Sequence, residues 1–316
     1  MSAASELRAA VHASVGRAVV AQSHVIDALL LAMLTAGHVL LEGVPGTAKT
    51  LCARALAATC DARFTRVQFT PDLLPSDIIG TTVYRADTAK FEFREGPIFT
   101  DTFLADEINR SPAKTQAALL EAMEERQVTA DGRRMPLGDR FLVVATQNPV
   151  EFEGTYPLPE AQLDRFFAKV DVPVVDSPAE VELLRRVDAG FRSTDLAAAG
   201  VVPTITAQTL TAARTEAAAV NVSDAILGYI TQIVAATRTS PDLSLGASPR
   251  GSIALLQGAK ALAAVSERDY VIPEDVKDLA IPVLRHRLIR RAEAEIAGVT
   301  ETAAVERAVS RVPVPR

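Results

Sequence analysis

Short apolar runs alternate with helical patterns through the first half of the chain. Five of these runs predict β-strands, at residues 38–43, 64–69, 102–106, 141–146 and 168–174. Strands and helices that alternate in this way are typical of a mostly parallel sheet covered by helices. Because the runs are apolar along their whole length, we expect the strands to be buried on both faces.

The pattern changes at Ser177, after which the strand signals stop. Ser177 is predicted as an N-cap, with Pro178 at the first helical position and Glu180 completing a capping box. Apolar periodicity then predicts five helices, at residues 177–189, 206–219, 223–238, 249–267 and 273–289. We therefore expect an α/β domain over residues 1–175 and an all-α domain over residues 176–316, with a frayed tail from Arg307 onward.

Two segments inside the first domain predict hairpins. Residues 82–93 read as two strands joined by a turn at 86–89, and residues 126–137 read as two strands joined at Asp131-Gly132. Asp-Gly is a strong two-residue hairpin signal because the turn requires positive φ at both central positions. Neither segment follows the rhythm of the main sheet, so we interpret both as insertions.

Charge and composition narrow the class of protein. The 316 residues include 33 Lys and Arg against 39 Asp and Glu, a formal net charge of −6, and 48% are hydrophobic, as in a folded globular protein. An acidic chain with 5% aromatic residues and no Trp lacks the charge and the flat side chains that general nucleic-acid binding uses. The longest apolar stretch, residues 28–41, is too short to span a bilayer.

Cysteine and histidine usage predicts no metal centre built from these residues. Cys52 and Cys60 fall in one predicted helix without the spacing of a metal or redox pair, so we expect two reduced, buried thiols. The four histidines are scattered without a zinc-binding pattern, and the N-terminus lacks the apolar core of a signal peptide. These features favour a cytoplasmic protein.

The segment GVPGTAKT, Gly43 to Thr50, has the composition of a phosphate-binding loop. It follows a predicted strand and opens a predicted helix, where backbone N–H groups and the helix N-terminus favour an anion. Lys49 is positioned to reach the β- and γ-phosphates, and Thr50 offers a hydroxyl to Mg²⁺. Ala48 stands where the usual pattern has Gly, and we expect a negative φ there.

Two carboxylates follow the third predicted strand, in TFLADE. Asp106 is a candidate Mg²⁺ ligand, and Glu107 is a candidate base for the water that attacks the γ-phosphate. A surface turn is the alternative for such a pair in isolation. Together with an upstream phosphate loop, the pair predicts hydrolysis of ATP.

Three polar residues further along the chain are candidates for contacts with the γ-phosphate. Asn148 follows the fourth predicted strand, at the sheet edge where ligands of open α/β sheets bind, although Asn-Pro also marks ordinary turns. Arg165 lies in LPEAQLDRFF and Arg250 in SPRG at the start of a predicted helix. Either arginine could instead be a solvated surface charge.

Six ordered motifs resemble those of the MoxR family of AAA+ ATPases: GVPGTAKT, FLADEINR, ATQNP, EAQLDRFF, ASPRG and YVIPEDV. The resemblance covers nearly the whole chain, from VVAQ at residues 19–22 to about Arg290, and Ala before the motif Lys is usual in this family. It implies an αβα core with strand order 5-1-4-3-2, a helical lid, and a hexameric ring with nucleotide bound between neighbours. The two insertions look like the helix-2 insert and the pre-sensor-1 hairpin of such proteins.

The same resemblance assigns roles to residues. It implies ATP contacts at the base and phosphate loop, namely Val20, Gly43, Pro45, Gly46, Thr47, Ala48, Lys49, Thr50 and Leu51. Asp106 and Glu107 match the Walker B pair, Asn148 matches sensor 1, and Arg165 matches the arginine finger that enters the neighbour's site. Arg250 matches sensor 2, and from its place on the lid we expect its guanidinium to reach the phosphates across the cleft between domains.

Three functions remain open at this point. The first is a Mg²⁺-dependent ATPase that remodels or matures protein clients, and the resemblance implies a partner with a von Willebrand factor A domain. The second is a nucleic-acid motor of the helix-2-insert group, disfavoured by the acidic balance and by the mixed charges Arg85, Asp87, Lys90 and Glu92 in the first hairpin. The third is a nucleotide-switched scaffold, disfavoured by the intact Glu107.

Overall fold

The structure, a computed structural model, describes residues 2–130, 132–149 and 155–315. Two N-terminal helices come first, α1 (Ala3–Val15) and α2 (Ser23–Leu34). The main sheet that follows has five strands: β1 (Val39–Glu42), β2 (Phe64–Gln68), β3 (Thr102–Asp106), β4 (Leu142–Gln147) and β5 (Ala168–Asp171). All neighbouring strands are parallel, in the order β2-β3-β4-β1-β5. The five predicted strands and their order are confirmed.

Four helices connect these strands: α3 (Lys49–Thr59), α4 (Pro75–Ile79), α5 (Ala113–Glu125) and α6 (Glu160–Leu163). Two antiparallel hairpins are inserted, Gly80–Arg85 with Lys90–Glu95, and Gln127–Ala130 with Arg133–Pro136. Both hairpins were predicted. The first residue of the second turn, Asp131, lies outside the described residues.

The interior strands are buried on both faces of the sheet, as their apolar sequences predict. The same expectation is wrong for β2, which contains no fully buried residue because it lies at the edge of the sheet. Along β3, Phe103 and Ala105 join an apolar cluster on one face, while Leu104 joins a larger cluster on the other. Each of these side chains is fully buried. Alternation of side chains along a strand places them on opposite faces, so an interior strand of this kind must be apolar throughout.

The C-terminal region is mainly helical. Its helices are α7 (Ser177–Asp188), α8 (Ala207–Ala219), α9 (Asp224–Arg238), α10 (Pro249–Val265), α11 (Pro273–Leu284), α12 (Ala292–Ile296) and α13 (Glu301–Arg311). It also contains one short antiparallel pairing, Leu243–Leu245 with Ile289–Arg290. Among the described residues, no helix is both long and apolar enough to cross a membrane.

Three local predictions for this region are wrong. The N-cap of α7 is Asp176, one residue before Ser177, and its side chain accepts a hydrogen bond from the N–H of Ala179. Helix α11 ends at Leu284 rather than 289, because the chain beyond it turns to pair Ile289–Arg290 with another strand. The tail from Arg307 is helical as far as Arg311, since α13 buries an apolar face that includes Val305 and Ala308.

The N-terminal helix α1 packs against the C-terminal helices. The backbone N–H of Ala4 donates to Glu216 of α8 at 3.0 Å, and the Ser5 hydroxyl donates to Glu267, which follows α10, at 2.9 Å. Helix α10 also approaches the end of the sheet domain closely, because a Cβ at Gly258 would lie 3.0 Å from the Phe167 ring. The C-terminal helices therefore pack against the first domain at two places, at α1 and at the residue just before β5.

Candidate active site

The loop between β1 and α3 takes the shape of a phosphate-binding loop. Gly46 has φ of 85° and Ala48 has φ of 66°, so the chain passes through the left-handed region twice before α3 begins at Lys49. Left-handed φ at Ala48 contradicts the sequence prediction of a negative φ, and such a conformation costs a residue with a Cβ about 1–2 kcal/mol. Strain of this kind concentrates at ligand-binding loops.

Lys49 is anchored to this loop. Its Nζ donates to the carbonyl oxygens of Gly43 and Val44, at 2.7 Å each. Burial lowers the pKa of Lys49, while the nearby charges of Asp106 and Glu107 act in the opposite direction. The ammonium therefore lies between the loop and the two carboxylates, where a polyphosphate would meet it.

Asp106 ends β3 and faces the start of α3. Its Oδ2 lies 3.4 Å from the hydroxyl of Thr50, and its Oδ1 accepts a hydrogen bond from Thr146 at 2.5 Å. The Thr146 hydroxyl oxygen in turn accepts the backbone N–H of Glu107 at 2.9 Å. Thr146, on β4, was not predicted as a site residue, although its place at the same sheet edge as Asn148 could have suggested it.

Two neighbouring side chains donate hydrogen bonds to the Glu107 carboxylate. Gln68 donates to its Oε2 at 2.8 Å, and Arg110 donates to the same oxygen at 3.0 Å. On the adjacent carboxylate, Arg66 donates its Nε to Asp106 at 2.8 Å. Arg66 and Gln68 are two residues apart on the edge strand β2, so their side chains lie on the same face of the strand, beside β3. This spacing was the available signal for two residues that the sequence analysis missed.

A cleft of about 840 Å³ lies at the carboxyl ends of the strands, lined by the phosphate loop and by Arg66, Asp106, Glu107 and Thr146. Asn148, which is 6% exposed, lines it opposite the phosphate loop. Helix α7 and the residues after it supply a partly apolar wall, made of Leu183, Leu184, Val187, Phe191 and Arg192. The described residues that line this cleft do not include Val20, which lies in the turn between α1 and α2.

Arg165 and Arg250 lie together, outside the cleft of their own chain. Arg165 Nε is 2.9 Å from Oε2 of Glu124, and Arg250 forms an ion pair with Oε1 of the same carboxylate. Neither arginine is among the described residues that line the cleft. The structure thus corrects the expectation that Arg250 reaches the phosphates of its own chain, because the start of α10 docks beside Arg165 and not beside the phosphate loop.

The two cysteines have no part in this site. Cys52 and Cys60 are free and buried, as predicted. Burial raises the pKa of each thiol to about 12, so both are protonated and unreactive at neutral pH.

A parallel sheet with a phosphate loop after its first strand, two carboxylates after its third and a helical region beyond it defines a P-loop nucleotide-binding protein with a lid. Residues 38–168 match the ATPase family associated with various cellular activities (AAA), and residues 235–308 match the AAA lid domain.

Whole-chain comparisons give a more specific result. The chain is 47% identical to the protein YeaC of Bacillus subtilis, over 95% of this chain and 92% of the relative. It is 42% identical to Chaperone MoxR1 of Mycobacterium tuberculosis, over 96% and 81% respectively. A crystal structure from Cytophaga hutchinsonii, 43% identical, matches with a TM-score of 0.90 and covers 99% of this chain and 97% of its own. The chain belongs to the MoxR family of AAA+ ATPases.

Proposed function

We propose that the protein hydrolyses ATP with Mg²⁺, at a site completed by a second copy of the chain, and uses this turnover to remodel protein clients. The observation that carries the proposal is the cleft itself. It joins the phosphate loop, Lys49, two carboxylates and Asn148 in one space at the carboxyl ends of parallel strands. A nucleoside triphosphate uses all of these groups, and the match to an ATPase family favours ATP.

The cleft residues divide the work of hydrolysis. Lys49 and the N-terminus of α3 bind the β- and γ-phosphates. Glu107 orients the attacking water and accepts its proton, and Asn148 holds the γ-phosphate or that water through its amide.

The oxygen ligands in the cleft suit Mg²⁺. The Thr50 hydroxyl and the Asp106 carboxylate lie 3.4 Å apart, and Mg²⁺ sites commonly combine one or two such protein ligands with substrate phosphates and water. When bound, Mg²⁺ neutralises charge on the β- and γ-phosphates. Arg66 donates to the same carboxylate oxygen, Oδ2, that lies near Thr50, so its guanidinium would be close to the ion.

The positions of Arg165 and Arg250 support a site shared between copies. Phosphoryl transfer gains from a guanidinium that meets the charge developing on the γ-phosphate. Neither arginine is among the described residues that line the cleft of their own chain, which supports a role for both in the cleft of a neighbour. Repeating such a head-to-tail contact closes a ring, for which we propose a hexamer.

A polypeptide client fits the exposed surface of the first hairpin. Tyr84 and Phe91 are exposed there and contact each other in a tilted arrangement, with ring centroids 5.2 Å apart, while Arg85 pairs with Asp87 and Glu92. This surface offers aromatic contact but no net positive charge, because the hairpin carries three basic and three acidic residues, and this balance favours protein over nucleic acid. The name of the relative Chaperone MoxR1 agrees with a chaperone-like role. We further propose a partner that bears a von Willebrand factor A domain, and a cytoplasmic location.

Two variants test the proposed hydrolysis. Lys49→Ala removes the ground-state phosphate contact, so we expect loss of ATP binding, measured by titration with a fluorescent ATP analogue. Glu107→Gln should bind ATP within about twofold of the parent yet lose about 10³-fold in turnover, because it lacks the base that acts on water. Equal loss of nucleotide affinity in both variants would contradict this division of roles. The Glu107→Gln chain, held with ATP, is also suited to capturing clients.

A further inference from the structure

Glu124 joins the two arginines that lie outside the cleft. Its carboxylate contacts Arg165 through Oε2 and Arg250 through Oε1, so one side chain links the finger segment to the lid helix α10. We call Glu124, Arg165 and Arg250 the Glu124 cluster. All three side chains are partly exposed, at 33%, 28% and 50% respectively, so the cluster lies at a surface where a second molecule can reach it.

The neighbouring residue Asp164 fixes the backbone that carries this cluster. Its Oδ2 accepts a hydrogen bond from Ser248, the N-cap of α10, at 2.9 Å. Its Oδ1 pairs with Arg287, whose side chain is almost fully buried. The finger segment and the start of the lid helix are therefore tied together one residue from Arg165 and two residues from Arg250.

The charge of the cluster is unbalanced. Two guanidinium groups share one carboxylate, which leaves one positive charge in excess. Arg165 Nε is buried and close to Glu124 but not aligned for a hydrogen bond, so this contact is an ion pair, while the Arg165 side chain as a whole is partly exposed. A planar, partly exposed guanidinium is suited to bind a phosphate oxygen.

The position of Glu124 on its helix is unfavourable unless cations are nearby. It lies in the last turn of α5, where the helix dipole disfavours a negative charge. The same helix begins just after Glu107 and leads through the second hairpin to β4 and Asn148. Glu124 therefore lies on the helix that connects the segment of Glu107 to the segment of Asn148.

We propose that Glu124 is a positioning residue that holds Arg165 and Arg250 side by side, as one unit for the triphosphate bound by a second copy of this chain. The proposal rests on the shared site proposed above. The carboxylate offsets the repulsion between the two guanidinium groups and restricts their rotamers before the neighbour binds. Without it, each arginine must be ordered separately, and misplacement of a catalytic group by about 1 Å can cost up to roughly 100-fold in rate.

Mixed assemblies test this role in the chain that donates the arginines. The acceptor chain carries Arg165→Ala and keeps a sound cleft, and the donor chain carries Lys49→Ala and keeps sound arginines. Adding Glu124→Gln to the donor should lower the kcat of the mixture roughly tenfold with KM for ATP unchanged within about twofold. Glu124→Asp in the donor should restore part of this loss. Glu125→Gln in the donor, one residue away and also exposed, should change nothing.

The same substitution placed in the acceptor supplies the decisive contrast. Glu124→Gln in the acceptor should leave the activity of the mixture unchanged, because those arginines are already incomplete. An equal loss from either chain, no loss in the donor, or a gain in the donor would overturn the positioning role. If the unsubstituted donor and acceptor co-assemble, as followed by light scattering, but show no activity, the shared site itself is wrong and the role of Glu124 falls with it.

Discussion

The nucleotide cleft and the Glu124 cluster handle charge in opposite ways. In the cleft, each carboxylate has donors from its own domain: Arg66 and Thr146 for Asp106, Gln68 and Arg110 for Glu107. In the cluster, two cations share one anion. The cleft thus joins the groups proposed to bind the nucleotide, while Arg165 and Arg250 are not among the described residues that line it. Under the proposed function, one chain binds ATP by itself and needs a second copy for efficient hydrolysis.

Removing Arg165 should give the larger catalytic defect of the two arginines. We expect Arg165→Ala to bind ATP with near-normal affinity and to lose about 10³-fold in kcat, since fingers acting between chains contribute on that scale. Steady-state hydrolysis and nucleotide titration measure the two quantities separately. A parallel loss of affinity would place Arg165 in the ground-state binding site of its own chain and remove the contrast between the two regions.

Removing Arg250 should have a smaller effect on rate and a visible effect on the lid. We expect Arg250→Ala to lower kcat by about 10- to 100-fold, because Arg165 still supplies one guanidinium. In the parent protein, a non-hydrolysable ATP analogue should increase amide protection near the start of α10, measured by hydrogen exchange of the assembled protein. If that increase persists unchanged in Arg250→Ala, Arg250 does not couple the lid to nucleotide.

The sequence was sufficient for the sheet because its interior strands must be apolar on both faces, and it was sufficient for the phosphate loop because that loop is local. Backbone detail was less predictable. Ala48 takes a left-handed φ that the loop geometry imposes on it. The N-cap of α7 is Asp176, one residue before the predicted Ser177. Asp176 and Ser177 offer similar capping chemistry, so only the surrounding packing decides which of them is the N-cap.

The arrangement of the arginines depends on tertiary docking that no local pattern encodes. Arg250 was expected at the phosphates, but Ser248 binds Asp164 and so brings the start of α10 to Arg165. Glu124 had no sequence signal of its own, because it is one of several acidic residues along α5. The contacts of Arg66 and Gln68 with the carboxylates depend on β2 lying beside β3, a neighbour relation that the family resemblance implies but that no local pattern encodes.

The buried His38 contacts both the main sheet and the helix that carries Glu124, and its titration should make the free energy of unfolding depend on pH. His38 Nδ1 accepts the N–H of Val143, and Nε2 lies 3.2 Å from the carbonyl of Met123, beside Glu124. Burial is the main cause that lowers the pKa of His38 to about 3, with nearby Arg126 contributing. The ring is therefore neutral in the folded protein, while the unfolded chain takes up a proton below pH 6.5.

Because the pKa of His38 is lower in the folded protein than in the unfolded chain, lowering the pH should destabilise the folded protein. The contribution of His38 to the free energy of unfolding is complete above pH 6.5 and declines towards pH 3, by about 1.4 kcal/mol per pH unit. Between pH 7.5 and 5.5, His38→Gln should lose about 1.4 kcal/mol less stability than the parent, measured by urea unfolding. The variant is expected to be less stable at both pH values. An identical pH dependence in both proteins would show that His38 is not the titrating group.

The shared site is tested most directly by mixing two inactive chains in varied proportion. Lys49→Ala lacks a working cleft but has sound arginines, and Arg165→Ala has the reverse. If the cleft of one chain uses the arginines of another, ATPase activity should be negligible for either chain alone and should rise to a maximum at intermediate ratios. Co-assembled mixtures that stay as inactive as their components at every ratio would contradict a site shared between copies.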